Sequence, residues 1–310
     1  MLLNIPTIIG LISILLFAKG VINFIYIYTR PSSLPRYLQP DSWALVTGAT
    51  EGIGRALARE LAFRGFNVVL HGRNRSKLNS SMQDLSTEFP ALKFRTVVAD
   101  AVSTGSSSAT QISDIVRELS DIKLKILINN VGGPPSSMVP RYKSFDLTTT
   151  KDNDEMLAMN VGFSTQLTAA LLPALLKNQP SLVLTMGSMA VYGSPWLSMY
   201  SGSKAFLMAW GRGLAREMKA EGRDVEVLGI VTGEVTGCSH NSRPATLIMP
   251  DSKVYAKAVL DRVGCGQAVV NGYWSQGILR GIVDLLPEFI LTPMFIGAME
   301  KQRAEYAKDM

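Results

Sequence analysis

Tyr200 and Lys204 stand four residues apart in Tyr200-Ser-Gly-Ser-Lys204, a spacing that puts both side chains on one face of a helix. A tyrosine with a pKa of ~10 transfers protons poorly near neutral pH, but a neighbouring ammonium favours the phenolate and pulls that value down. Ser188, 12 residues before Tyr200, follows an apolar run that reads as a strand, and its hydroxyl can hold a carbonyl oxygen. Such a set can pass a proton to or from the oxygen of a ketone or alcohol. A Tyr/Lys pair at this spacing is common by chance. The same pair with a serine at one strand end and a glycine turn at another is not.

That turn is Thr47-Gly-Ala-Thr-Glu-Gly-Ile-Gly54, between the apolar run Trp43–Val46 and a helical pattern marked by Ile53, Leu57 and Leu61. Strand, glycine turn and helix form the context for a dinucleotide pyrophosphate on a helix N-terminus. A tight βα loop without a ligand has the same local form. Arg73, with Asn74 beside it, ends a second strand (67–71), and Gly72 stands where an acid could bind a ribose 2′-hydroxyl. An arginine here favours a 2′-phosphate and hence NADP(H); a solvated loop arginine is the plainer reading. Asp100 and Asn129-Asn-Val-Gly132 end two further strands, where ligands of a doubly wound sheet bind, although helix capping explains them equally well.

Strands at 43–46, 67–71, 93–99, 125–129, 182–185, 225–231 and 267–270 alternate with helical patterns, notably 153–176 and 203–220. Near-continuous apolar strands between helices predict an α/β fold with a doubly wound, Rossmann-like parallel sheet. Four segments follow: a membrane anchor (1–30), a linker (31–42) with three prolines, the sheet domain (43–275) and an apolar C-terminal helical extension (276–310). Residues 2–28 hold one charge, Lys19, and as a helix exceed the ~30 Å hydrocarbon core. A cleaved signal peptide is the competitor, but no basic residue opens the stretch and no small-residue cleavage site follows it. Lys19 fits either one tilted span or the bend of a hairpin. Arg30 and Arg36 directly follow the span, so the sheet domain is expected on the cytosolic side. The run 277–299 is broken by Pro287 and Pro293 and diluted by Arg280, Asp284 and Glu288, which suits a helix packed on the domain or lying in a membrane interface.

Composition excludes other classes. Two cysteines, Cys238 and Cys265, cannot form a disulfide framework, and two histidines, His71 and His240, are too isolated for a metal site. The net charge of +6 is spread along the chain without a basic run, so no nucleic acid is expected.

Thr47-Gly-x-x-x-Gly-x-Gly54, Asn129-Asn-Val-Gly132, Asn160, Ser188 and Tyr200-x-x-x-Lys204 together resemble the short-chain dehydrogenase/reductase family, over residues 43 to about 275. Asn-Asn-Val-Gly, the apolar N-terminus and the tail Gly281-Ile-Val-Asp-Leu-Leu-Pro287 are similar to its membrane-bound branch of 17β-hydroxysteroid dehydrogenases and very-long-chain 3-oxoacyl-CoA reductases. The resemblance implies that Gly48, Gly52, Ile53 and Gly54 hold the pyrophosphate, Asp100 the adenine and Asn130 the adenosine side. It makes Tyr200 the general acid and Lys204 the ribose ligand that depresses it. Ser188 then orients the carbonyl, Asn160 holds a water for reprotonation, and Val235 lies near the nicotinamide amide. Three departures stand out. The Ser-to-Tyr gap is one residue short, with Ser194 as the fallback serine. Thr232-Gly-Glu-Val235 replaces the usual Pro-Gly-x-Val, with Gly237 in place of a threonine beside Thr236. The tail lacks a dilysine signal, so endoplasmic reticulum residence rests on the anchor. The sequons at Asn74 and Asn79 are read as chance, since a glycan at Asn74 would fill the phosphate site.

The expected function is NADPH-dependent reduction of a lipophilic ketone, first a 3-oxoacyl-CoA, by an endoplasmic reticulum protein facing the cytosol. A steroid or secondary-metabolite ketoreductase is the alternative. A non-catalytic NADP(H)-binding membrane protein is a third, and a homodimer is admitted.

Overall fold

The computed structural model describes residues 4–238 and 241–308. The first element is a helix, α1 (Ile5–Thr29), in which Asn4 caps the N-terminus by accepting from the Thr7 amide. The chain then runs β1 (Ser42–Val46), α2 (Gly52–Phe63), β2 (Asn67–Gly72), α3 (Arg75–Glu88), β3 (Phe94–Val98), α4 (Gly105–Glu118) and β4 (Lys123–Asn129). The second half follows with α5 (Thr150–Leu157), α6 (Phe163–Lys177), β5 (Ser181–Met186), α7 (Ser198–Ala220), β6 (Val225–Val231), α8 (Ser252–Asp261) and β7 (Val269–Asn271). Two helices close the chain, α9 (Trp274–Val283) and α10 (Glu288–Lys308).

The seven strands form one parallel sheet in the order β3-β2-β1-β4-β5-β6-β7, as the alternating pattern predicts. Alternate residues of each strand enter two separate cores. Ala44, Val46, Leu182 and Leu184 pack with Leu57, Leu61, Tyr255 and Val259 from α2 and α8. Trp43, Leu45 and Val183 face the other way, onto Ile115, Leu167, Leu171 and Met218 from α4, α6 and α7. Both faces being covered, the central strands are largely apolar. The strand order reverses between β1 and β4, and the loops leaving their carboxyl ends open a crevice there.

Three elements differ from expectation. The helix carrying Tyr200 begins at Ser198, five residues earlier than the apolar spacing indicates. Between α5 and α6 the helix passes through one π turn, Ala158–Gly162. The segment 31–42 is no free linker: Leu34 and Tyr37 are buried, Tyr37 Oη donates to Glu226 at 2.6 Å, and Arg36 pairs with Asp224 at 2.8 Å. Leu34 and Tyr37, three residues apart on a short helical turn, supply the apolar area that proline content conceals.

Helix α1 is continuous through Lys19, without a hairpin bend, and is long and apolar enough to cross a membrane. Its last turn is docked. Ile27 is buried, Tyr28 Oη donates to Asn271 O at 3.0 Å, and the Arg262 guanidinium donates to Ile27 O. The helical run 150–177 passes the same length test, but it belongs to the core against the sheet.

Candidate active site

The crevice is held shut at its base by Thr47. Its Oγ1 accepts from the Asn130 and Val131 amides at 2.8 and 3.0 Å and donates to Ile128 O at 3.1 Å. The Asn130 carboxamide donates back to Thr47 O at 2.9 Å and Gly48 O at 3.3 Å. Asn130 therefore ties the end of β4 to the glycine turn and shapes it. Gly48 and Gly52 adopt φ of +65° and +57°, the left-handed region that disfavours other residues. At Gly54 a Cβ would overlap Gly48 O, so only glycine lets α2 start this close to the turn. The amides of Ile53 and Gly54 lie in the first turn of α2, which carries no acidic residue, and present the positive end of that helix to the crevice.

Around this turn the sequence-predicted residues divide by what they do. Arg73 is exposed just past β2 and donates to Ser136 Oγ at 3.1 Å, so its guanidinium reaches across the crevice mouth. Asn74 caps α3, its carboxamide oxygen accepting from the Lys77 amide at 3.0 Å and Ser76 Oγ at 2.8 Å. The carboxylate of Asp100 accepts from the Val102 amide at 3.3 Å while its own amide donates to Gln111 at 2.6 Å. Val235 is buried, and its carbonyl accepts from Asn241 at 3.1 Å. Gly237 has a φ of +73°, and a Cβ there would meet Asp251 Oδ2 at 2.6 Å. That backbone explains a glycine where the resemblance leads one to expect threonine. Neighbouring Thr236 uses its hydroxyl on Arg243 O, and His240 lies outside the described residues.

The second cluster is built from β5, α7 and the π turn. Lys204 is buried and donates to Met186 O, at the end of β5, at 3.0 Å. Desolvation pushes its ammonium down to about 8. Its Nζ lies 5.7 Å from the centroid of the Tyr200 ring. Asn160, fully buried in the π turn, donates to Gly133 O at 2.9 Å and Met156 O at 3.0 Å, and accepts from the Gly133 amide at 2.9 Å. Gly132 lies between the two: a Cβ there would stand 2.7 Å from Asn160 Oδ1 and 2.8 Å from Lys204 Nζ. Asn160 and Lys204 are thus neighbours, with a glycine obligatory between them.

Tyr200 stands beside this pair. Burial raises the phenol, opposed first by a hydrogen bond from Ser188 and then by the Arg141 charge. The Arg141 charge that lowers the phenol is a neighbour sequence reasoning missed. Nothing local in Pro140-Arg141-Tyr142 signals it, because a loop outside every strand and helix delivers it. Ser188 caps the short turn Met189–Tyr192, accepting from the Ala190 amide at 3.1 Å, and is the serine that partners Tyr200. Ser194 is buried and gives its amide to Ser201 Oγ at 3.0 Å. The missing residue in the loop therefore leaves Ser188 in place.

His71 is the second residue that sequence reasoning passed over. It is buried, stacks on Phe163 with 4.8 Å between ring centroids, and accepts from the Gly48 amide at 3.4 Å. Burial pushes its imidazole down to about 4, so it stays neutral under the glycine turn. Among the described residues no group of His, Cys, Asp and Glu could hold a metal ion.

A family model described as short chain dehydrogenase matches residues 42–246. The very-long-chain 3-oxoacyl-CoA reductase of Neurospora crassa is 32% identical over 82% of this chain and 75% of its own length. The reductase of the same name from Schizosaccharomyces pombe is 34% identical over 87% of this chain and 80% of its own. Among solved structures, a 7beta-hydroxysteroid dehydrogenase superposes with a TM-score of 0.69 at 20% identity, covering 81% of this chain and 94% of that one. A bulky-bulky ketone specific alcohol dehydrogenase from Comamonas testosteroni gives 0.62 at 22% identity, over 79% and 95%. At those identities the structural likeness shows the fold. The family match, spanning the glycine turn, Asn160, Ser188, Tyr200 and Lys204, shows more: this chain belongs to the short-chain dehydrogenase family.

Proposed function

We propose that this protein reduces a long-chain 3-oxoacyl-CoA to the 3-hydroxy thioester with NADPH, as the ketoreductase of fatty-acid elongation. It would do so from the endoplasmic reticulum membrane, with the sheet domain in the cytosol. The observation that carries the chemistry is the convergence of Ser188, Tyr200, Lys204 and Asn160 beside the glycine turn. The substrate class rests on the names of the relatives, and the location on α1.

Family membership brings a nicotinamide cofactor, and the crevice fits one. The positive-φ glycines, the side-chain-free Gly54 and the first-turn amides of α2 suit a pyrophosphate. Exposed Arg73, with Gly72 in place of an acid, suits a 2′-phosphate. Asp100 would take the adenine, Lys204 the nicotinamide ribose, and Val235 the region of the amide. When bound, the cofactor supplies the hydride.

The protein's own residues handle the oxygen. Ser188 donates a hydrogen bond to the ketone oxygen and fixes its direction toward Tyr200. Tyr200, kept protonated by burial, passes its proton to that oxygen as the carbon is reduced. The Arg141 charge favours the phenolate left behind. Lys204 and Asn160 flank Gly132; the Lys204 ammonium would return the proton toward Tyr200, and Asn160 would hold the water through which Lys204 is recharged from solvent.

Competition separates the substrate readings. Full-length protein in bilayer discs, offered NADPH with a long-chain 3-oxoacyl-CoA and a keto steroid together, should consume the thioester at least tenfold faster. Equal or faster reduction of the steroid would transfer the assignment to the steroid class.

A further inference from the structure

Helix α9 turns an apolar face outward. Its buried residues are Ser275, Gln276 and Val283, and the two polar ones are satisfied: Ser275 Oγ donates to Leu247 O at 2.7 Å, and Gln276 donates to Glu234 O and accepts from the Gly233 amide, each at 2.9 Å. Its outer face carries Trp274, Ile278 and Ile282 at four-residue spacing, with Leu279 beside them, all exposed. Past the helix end Leu285, 85% exposed, is followed on α10 by Phe289, 78% exposed, and by Ile296 seven residues on, on the same face. A surface helix in water points such residues at the core. Exposed apolar side chains gathered on two successive helices mark a surface made to be covered.

What covers it is indicated by what it adjoins. Gly277 of α9 packs directly on α1, where a Cβ would overlap Tyr28 Oη and lie 3.2 Å from Phe24. The stripe therefore begins where α1 leaves the domain, and α1 itself exposes Ile, Leu and Phe side chains around its whole girth. Trp274 and Tyr273 stand at this junction, the place where interfacial aromatics collect.

The other half of α10 points to a use. It joins the loops that follow β4, β5 and β6. Tyr142 Oη meets Gln302 at 3.3 Å, Arg303 lies 5.1 Å over the Trp196 ring, and Arg243 pairs with Glu305 at 3.3 Å. Ahead of it, Tyr192 bonds Asp284 at the end of α9 and stacks on Phe295 in the first half of α10. These loops border Ser188, Tyr200 and Val235. We propose that α9 and the first half of α10 lie on the lipid bilayer beside α1, as a second membrane contact holding the mouth of the Tyr200 site against the acyl-chain phase. The proposal rests on the anchor reading of α1 and extends it to the substrate's route of entry.

Nitroxide labels test it in the full chain, reconstituted in discs of phosphatidylcholine and phosphatidylserine. Both native cysteines are buried, so labelling at Leu15→Cys, Ile282→Cys or Phe289→Cys is selective. Labels at 282 and 289 should be reached by oxygen and shielded from a water-soluble nickel complex, as the label at 15 is. A label at 15 in lipid with those at 282 and 289 open to nickel overturns the second contact and leaves the anchor standing. Labels at 282 and 289 closed to both probes also overturn it, since a protein surface then covers the stripe. A label at 15 open to nickel removes the anchor and the proposal together. In the same discs, Ile282→Glu with Phe289→Glu should raise KM for a long-chain 3-oxoacyl-CoA about tenfold and leave kcat/KM for a short soluble ketone unchanged. An equal loss on both substrates would make the stripe a structural element and refute the route.

Discussion

Lys204 shows how burial alone can set a working charge. Its ammonium is buried against Met186 O, and desolvation lowers it to about 8, where an exposed lysine titrates near ~10.4. Below that value Lys204 is charged and above it neutral, so kcat/KM for reduction should be level from about pH 6 to 7.5 and fall above about 8. A profile level to pH 9.5 would show that the lysine charge is not needed. Stability runs the other way. Between about 8 and 10.5 the unfolded chain binds more protons than the folded one, so this lysine makes stability rise with pH across that window, and Lys204→Met should remove the rise. Denaturant midpoints at several pH values measure it. Arg73 makes a separate claim on cofactor choice. A charge-assisted contact is worth about 1.5–3 kcal/mol, so Arg73→Ala should weaken NADPH binding by roughly one to two decades while NADH changes little. Equal losses in calorimetric titrations of both cofactors would reduce Arg73 to its contact with Ser136.

Elements that depend on local pattern were legible, and those that depend on distant packing were not. The central strands read directly because their apolar residues fill both cores, and the glycine turn because its φ values admit little else. The π turn at Asn160 has no sequence period of its own, and the docking of 31–42 hangs on two buried side chains among prolines. Arg141 and His71 reach the site through a loop and a strand interior, so spacing gave no sign of them. The docked base of α1 bears on any soluble form of the protein. Removing residues 1–23 should leave the domain folded, because the described residues of that stretch are all exposed. Removing 1–30 also deletes buried Ile27 and leaves Arg262 and Asn271 without Ile27 O and Tyr28 Oη. The shorter protein should lose about 2–4 kcal/mol against the 1–23 deletion, the scale of one emptied core position with its hydrogen bonds. Equal melting temperatures for the two truncations would show the docked turn to be ornamental.

At the scale of the molecule, the carboxyl end of the sheet gathers the chemical groups, and an apolar helix and an exposed apolar face lie beside it. The glycine turn after β1, the loops after β4, β5 and β6, and the polar half of α10 converge at that end. The family is shown by the match over residues 42–246, and the substrate proposal depends on this end being catalytically live. The most direct measurement is NADPH consumption with a long-chain 3-oxoacyl-CoA by full-length protein in bilayer discs, beside the Tyr200→Phe variant. Removing the phenolic hydroxyl takes away the general acid while keeping the ring and its packing, so turnover should fall by about 10²–10⁴ with NADPH affinity nearly unchanged. Turnover in Tyr200→Phe equal to that of the unaltered protein would contradict the account, and make the chain a cofactor-binding membrane protein whose chemistry, if any, lies elsewhere.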